Sequence, residues 1–283
     1  MNCAWDAYMK LIPSRFKRDV EAIGKTDIQE LRLRSGQAPE LVLKNTSVRL
    51  EDFTVVQDDL HYTVNIASRY SPWTSGSIEN GYITAQGGHR IGVCGEVAIK
   101  EGRIQSVPSV TSVCVRAARD FPGISGNAAD MTGSILIIGR PGSGKTTLLR
   151  DLVRRISENH DGAVAVVDER REVFPVIAGK FCFPPGPRTD VLSGCPKRTG
   201  IDLLLRTMTP KTIAVDEITA QEDCVALKHA AWCGVQLLAT AHAATVDDLF
   251  HRNVYAPLLK EGIFENLIII HADKSWTMER MNT

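Results

Sequence analysis

The 283-residue chain lacks a long apolar run, a net charge, a closely spaced cysteine pair and an aromatic-rich stripe. Its longest apolar stretches fall far short of the ~18–20 residues that cross a bilayer. No transmembrane segment is therefore expected, and a membrane role would pass through a partner. The opening residues carry Asp6, Lys10, Arg15 and Lys17 with no apolar core, so no secretory leader is expected either. Lys plus Arg number 33 and Asp plus Glu 33, for a formal net charge of 0. That balance argues against a basic nucleic-acid coat. It also leaves little repulsion between copies of the chain, which is compatible with self-association. The seven cysteines, at 3, 94, 114, 182, 195, 224 and 233, include no pair two residues apart. Zinc knuckles and redox motifs are excluded on that spacing, and reduced thiols in a cytoplasmic protein are expected. Internal repeats and low-complexity tracts are absent.

What is present is ordinary globular material: 43% hydrophobic and 23% charged residues, enough for a sizeable core. The length suits two domains. Residues 1–25 show helical spacing at Ala7, Leu11, Val20 and Ile23, broken at Pro13. Residues 28–50 read as short strands with turns at Ser35-Gly36 and Lys44-Asn45. Asp58 to Ser68 reads as a helix with Leu60, Val64 and Ala67 as its stripe. Tyr82 to Val97 and Arg103 to Arg116 alternate like strands around a Lys100-Glu101-Gly102 turn. The expectation is an α+β domain over 1–116.

Residues 117–133, with Pro122, Gly123, Gly126, Asn127 and Gly133, read as a flexible linker. Beyond it, short continuous apolar strands alternate with helical segments: Ser134 to Ile138, Ala163 to Val167, Thr212 to Val215 and Val235 to Thr240. That pattern predicts a mostly parallel sheet covered on both faces, over 134–283. A closing antiparallel hairpin is expected at Leu267 to Ile270 and Ser275 to Met281. Residues 184–200, rich in Pro, Gly and charge, read as an exposed loop that is mobile or partner-facing.

Gly139-Arg140-Pro141-Gly142-Ser143-Gly144-Lys145-Thr146 matches the phosphate-binding P-loop in full, between an apolar strand and a helix. Glycines let successive N–H groups turn toward one anion without Cβ clashes, and the helix N-terminus adds positive potential. Residues Gly139 to Thr147 are thereby expected to hold a nucleotide. Lys145 reaches the β- and γ-phosphates, and Thr146 ligates Mg²⁺.

The buried strand Thr212-Ile213-Ala214-Val215 ends in Asp216-Glu217, at the end of an open α/β sheet where ligands bind. Asp216 is expected to hold Mg²⁺, and Glu217 to polarise the attacking water. The competing reading makes one of the two acids a cap of the following helix. A second strand ends in Asp168-Glu169-Arg170-Arg171-Glu172. Five charges in a row usually mark a solvated face, but this strand belongs to the same sheet. A fourth strand ends at Thr240-Ala241-His242, and either Thr240 or His242 is placed to sense the γ-phosphate.

These motifs and their order resemble the secretion ATPases of type II and type IV systems and type IV pili, and within them the sporulation ATPases. The specific parts are Gly-Gly-His-Arg-Ile-Gly at 87–92, the P-loop, the 168–172 acids, Pro-Gly-Pro-Arg-Thr-Asp-Val-Leu at 185–192, Cys195-Pro196-Lys197, Val215-Asp216-Glu217-Ile218 and Thr240-Ala241-His242. The resemblance implies a RecA-like P-loop domain preceded by a smaller α+β domain, ATP with Mg²⁺, and a ring, usually a hexamer. It implies partners among membrane proteins of a transport or feeding channel during sporulation, with the chain at the membrane only peripherally. It implies an acidic box at Asp168, Glu169 and Glu172 and a His box at His242. It also implies phosphate-directed arginines in the first domain, for which Arg90 and Arg116 stand out. Two features depart from the family pattern: Asp216-Glu217 where Gly-Glu is common, and Asp168-Glu169 where Glu-Asp is common. One rival class is a RecA-like nucleic-acid-associated motor, against which the zero net charge counts; the other is a non-hydrolysing nucleotide-gated scaffold, against which the intact Lys145, Thr146, Asp216 and Glu217 count.

Overall fold

A computed structural model of the chain describes residues 1–69 and 81–281. It divides into two compact units, 1–120 with 176–182 and 121–175 with 183–283.

In the first unit, Pro13 splits the N-terminal helical stretch into α1 (Trp5–Leu11) and α2 (Lys17–Ile23), joined by a 3₁₀ turn. Proline has no N–H to give and holds its predecessor out of helical backbone. Strands β1 (Ile28–Arg34), β2 (Glu40–Leu43) and β3 (Ser47–Arg49) follow, then α3 (Gln57–Ser68), β4 (Tyr82–Thr84), β5 (Arg90–Lys100) and β6 (Arg103–Arg116). They form a six-stranded antiparallel sheet in the order β3-β2-β1-β6-β5-β4. Helix α3 packs on it through Leu60, Val64 and Ala67, the stripe expected from the sequence.

The run expected as one strand from Tyr82 to Val97 is two, β4 and β5, broken at Ala85–His89. His89 anchors the chain at the break. Its buried ring contacts the Ala4 carbonyl through Nε2 at 2.9 Å and accepts the Ala118 N–H on Nδ1 at 3.0 Å. Gly87, at φ +82°, makes the accompanying bend, where a Cβ would lie 2.5 Å from that of Ala4. Periodicity cannot show such a break, because it arises from contacts remote in sequence. Further along β5, Gly95 sits against the backbone of Ser109, whose carbonyl oxygen would lie 1.9 Å from an added Cβ. Gly95→Ala is expected to disrupt the β5–β6 pairing and lower the melting temperature by several degrees, read by circular dichroism.

The second unit contains β7 (Ile135–Gly139), α4 (Lys145–Asn159) and β8 (Val164–Asp168). The short hairpin β9–β10 (Val176–Ile177, Lys180–Phe181) is grouped with the first unit. Then come β11 (Thr189–Ser193), α5 (Lys197–Thr207), β12 (Thr212–Val215), α6 (Gln221–Trp232), β13 (Gln236–His242), α7 (Val246–His251), α8 (Ala256–Lys260), β14 (Asn266–Ile270) and β15 (Trp276–Arg280). The sheet order is β11-β8-β12-β13-β7-β14-β15, parallel throughout except for the β14–β15 hairpin. Strands β7, β8, β12 and β14 are buried along their whole length, as their largely apolar sequences require, and the polar Asp168, Thr212 and Asn266 stand at strand ends.

Two sequence expectations look different in the structure. Part of 184–200 is not a loop, since β11 pairs with β8 as an edge strand and α5 starts at Lys197. Every residue of β11 is only half-buried, which is why its sequence does not look like a core strand. Within 117–133, residues from Phe121 on belong to the second unit. Ala128 and Ala129 are fully buried, and the Asp151 carboxylate accepts the Gly123 and Ser125 N–H groups at 2.9 and 2.8 Å.

Candidate functional site

The parallel sheet brings three strand ends together. β13 lies between β7 and β12, and its register pairs His242 with Gly139 and Ala239 with Val215. The P-loop, the acid pair and the Thr240-Ala241-His242 segment therefore meet at the C-terminal edge of the sheet.

The P-loop holds its turn through the Ser143 N–H donating to the Arg140 carbonyl at 3.1 Å. Gly142 and Gly144 sit at φ +73° and +109°, with nothing within 4 Å of where a Cβ would be. At Gly139 a Cβ would lie 2.5 Å from Ser143 Oγ and 3.2 Å from Ile270 Cβ. Ser143 Oγ is buried without a hydrogen-bond partner. An orphaned hydroxyl inside a glycine-lined cradle fits a phosphate, which would supply the missing acceptor.

Lys145 opens α4 and is 6% exposed. Its ammonium donates to the Gly139 and Arg140 carbonyls at 2.8 and 3.1 Å and to His242 Nδ1 at 2.9 Å. Burial pushes its pKa down, and the Asp216 and Glu217 charges oppose that shift.

Thr146 Oγ donates to Asp216 Oδ2 at 2.7 Å. Thr240, fully buried, donates to Asp216 Oδ1 at 2.7 Å and accepts the Glu217 N–H at 2.7 Å. One hydroxyl thus fixes the Asp216 carboxylate and the Glu217 backbone. Glu217 has a left-handed backbone, φ +53°, which costs energy in a side-chain-bearing residue and persists only where its surroundings enforce it. The Thr240 hydroxyl and the Ile218 N–H bond to the Thr240 carbonyl, 2.8 Å long, enforce it here. Thr240→Val keeps the volume but strands the half-buried Glu217 N–H and an Asp216 carboxylate oxygen. It is expected to cost about 1–3 kcal/mol of stability, read from the midpoint of urea unfolding. The cap of the helix after β12 is Asp223, whose Oδ2 accepts the Thr219 and Ala220 N–H groups at 3.0 and 3.2 Å. Asp216 and Glu217 are therefore free of that duty.

Glu217 Oε1 lies 3.0 Å from His242 Nε2, and Oε2 accepts from Arg170 at 2.7 Å. Asp168 is 1% exposed and faces inward. Its oxygens accept the Glu172, Val173 and Phe174 N–H groups at 2.8, 3.1 and 2.9 Å. Burial pushes its pKa up, against the pull of those three donors. Glu169 pairs with Lys197, which is also 3.7 Å from Asp223. Asp168→Ala is expected to lower stability by roughly 3 kcal/mol or more by orphaning buried donors, seen as early unfolding in urea.

Arg90 and Arg116 are cross-strand partners in the first unit. Arg116 binds Glu30 at 2.7 Å, and the Arg90 guanidinium stacks 3.7 Å over the Tyr82 ring. Arg170 and Tyr255 join the second unit's site without having been picked out from the sequence. The Tyr255 hydroxyl donates to the Ile218 carbonyl and accepts the His242 N–H, both at 3.3 Å. No motif marks Tyr255, and Arg170 was one charge in a run of five.

A P-loop strand flanked by β13 and β14, a mostly parallel sheet and a preceding α+β unit define the RecA-like P-loop fold, the fold found in solved secretion ATPases. The fold is shared with the DotB ATPase of Legionella pneumophila at a TM-score of 0.59, 16% identity, 89% of this chain and 76% of that one. It is shared with the pilus retraction motor PilT, solved with bound ADP, at a TM-score of 0.60, 16% identity, 95% of this chain and 83% of that one. Over residues 9–279 the sequence matches the model of the family "Sporulation stage III, protein AA", and the chain belongs to that family. It is 32% identical to the stage III sporulation protein AA of Bacillus subtilis over 272 residues, which is 92% of this chain and 88% of the relative. Among the described residues no helix is long and apolar enough to cross a membrane.

Proposed function

We propose that the chain is a Mg²⁺-dependent ATPase of the secretion type, acting as a ring and serving membrane-embedded partners during sporulation. The observation that carries the reading is the bonded network in which Lys145, Thr146, Asp216, Glu217, Thr240 and His242 converge on one P-loop. Lys145 holds the β- and γ-phosphates, assisted by the glycine-lined N–H groups and the Ser143 hydroxyl. Thr146 and Asp216, bonded to each other at 2.7 Å, would hold Mg²⁺, which would neutralise charge on the phosphate oxygens. Glu217 orients the attacking water and takes its proton. Thr240 keeps the Asp216 carboxylate and the Glu217 backbone in place.

The family and the fold of its structural neighbours support this reading, together with a hinge motion between the units driven by nucleotide state. The ring reading rests on the same kinship. The test is release of inorganic phosphate from ATP by the full chain, with Mg²⁺ and with chelator. Steady turnover that chelator abolishes supports it, and no turnover in any assembly state overturns it. Sedimentation with and without ATP tests the ring: a nucleotide-dependent rise in mass is expected, and a persistent monomer counts against it.

A further inference from the structure

The mechanism above leaves Arg170 without a task, yet it touches the catalytic carboxylate. Both oxygens of Glu217 are engaged, Oε1 by His242 at 3.0 Å and Oε2 by Arg170 at 2.7 Å. The direction of the His242 bonds follows from Lys145. An ammonium has only protons to give, so Nδ1, 2.9 Å from it, is the acceptor and the ring proton sits on Nε2. A single chain of bonds thus runs from the P-loop lysine through the imidazole and the carboxylate to Arg170.

The turn that carries Arg170 is built to hold it there. Asp168 fixes the turn from inside through the N–H groups of residues 172–174. Glu169 ties the same turn to the buried Lys197. Arg171 adopts a left-handed backbone at φ +56°. Neither acid is bonded to the Lys145–Glu217 network, and together they set the guanidinium that is.

We propose that Arg170 and His242 form a latch on Glu217, opened when nucleotide phosphates draw Lys145 off His242, so that the general base is freed only on a loaded P-loop. The proposal rests on the ATPase reading and names the regulation of that site. A carboxylate held by two donors has its rotation fixed, and turning a lone pair toward water means giving up one of them. Lys145 links the events: its three ammonium protons are taken by the Gly139 and Arg140 carbonyls and by Nδ1, so phosphate oxygens need one of them freed, and in the latch it is the Nδ1 contact that gives way. The imidazole then loses the contact that sets its tilt, and its grip on Oε1 slackens. The Arg170 side chain is 47% exposed, so its hold is weak enough to break at every turnover. The Glu217 backbone is pinned by Thr240, so only the side chain moves.

The experiment uses the full chain and its Arg170→Gln and Arg170→Lys variants, with ATP turnover, affinity for a slowly hydrolysed ATP analogue and thermal melting as readouts. Arg170→Gln is expected to raise kcat about two- to fivefold, the range of an exposed ion pair expressed as a rate. Its analogue affinity should stay at the wild-type value, and Arg170→Lys should restore the low rate. Nitrogen-15 spectra of the wild-type histidine rings, assigned with His242→Gln, supply a readout apart from turnover. The Nε2–H tautomer is expected in the free chain, with the Nδ1 signal moving when the analogue and Mg²⁺ are added. Unchanged or lowered kcat in Arg170→Gln, or a His242 signal indifferent to nucleotide, overturns the latch and leaves the ATPase reading standing. A wild-type chain that binds no analogue overturns both.

Discussion

Glu217→Gln is expected to bind ATP as the unaltered chain does and to hydrolyse it about 10²–10⁴-fold more slowly, the usual weight of a positioned general base. The amide keeps the size of the carboxylate and one acceptor oxygen. The His242 contact at 3.0 Å therefore has a partner, while the ability to take a proton from water is gone. The amide's NH₂ faces either Arg170 or His242, so one existing bond is lost. That loss is small, because the Arg170 side is half-exposed. Single-turnover phosphate release with equilibrium binding of a labelled ATP separates the two effects. Retained binding with near-wild-type turnover would remove Glu217 from the chemistry.

Lys145→Ala acts earlier, on binding. The ammonium is anchored to two P-loop carbonyls and His242, so it is already desolvated and aimed. Each charge-assisted hydrogen bond it makes to phosphate is worth about 1.5–3 kcal/mol, which is roughly ten- to hundredfold in affinity. Nucleotide affinity should fall at least that far, with turnover below detection, measured by calorimetry with MgATP. Because 6% exposure marks Lys145 as part of the packed loop, circular dichroism must show that the variant keeps its fold. Wild-type affinity in a folded variant would displace the nucleotide from the P-loop. The two substitutions have different signatures, since Glu217→Gln changes rate with binding intact and Lys145→Ala weakens binding itself.

Much of this was legible in the residues. The P-loop has fixed spacing because its backbone geometry tolerates few alternatives, and only glycine is comfortable at φ +73° and +109°. Strands β7, β8, β12 and β13 announce themselves because a strand buried on both faces is apolar over most of its length, whereas β14 reads in the sequence only as one arm of a hairpin and its parallel pairing with β7 comes from the structure. Strand β11 did not, because an edge strand faces solvent and carries mixed residues. The break at Ala85–His89 was hidden for another reason. It depends on Ala4 and Ala118, which are far from His89 in sequence.

The acids show the same division. A strand ending in Asp216-Glu217 and one ending in Asp168-Glu169 look alike on paper. The structure separates them, because Asp216 faces Thr146 and Thr240 while Asp168 turns inward onto backbone N–H groups. Arg170, lost in a charged run, is singled out only by its 2.7 Å contact with Glu217.

The amino-acid order alone determined the chemistry available: a phosphate cradle, an ammonium, a hydroxyl, carboxylates and an imidazole, each tied to a strand end by local pattern. Which of those groups touch was decided by the tertiary structure, through the placement of β13 between β7 and β12 and the register that sets His242 beside Gly139. The physical reason is range. Turn geometry and burial patterns act between neighbours along the chain, whereas strand order and side-chain direction follow from packing among residues tens of positions apart.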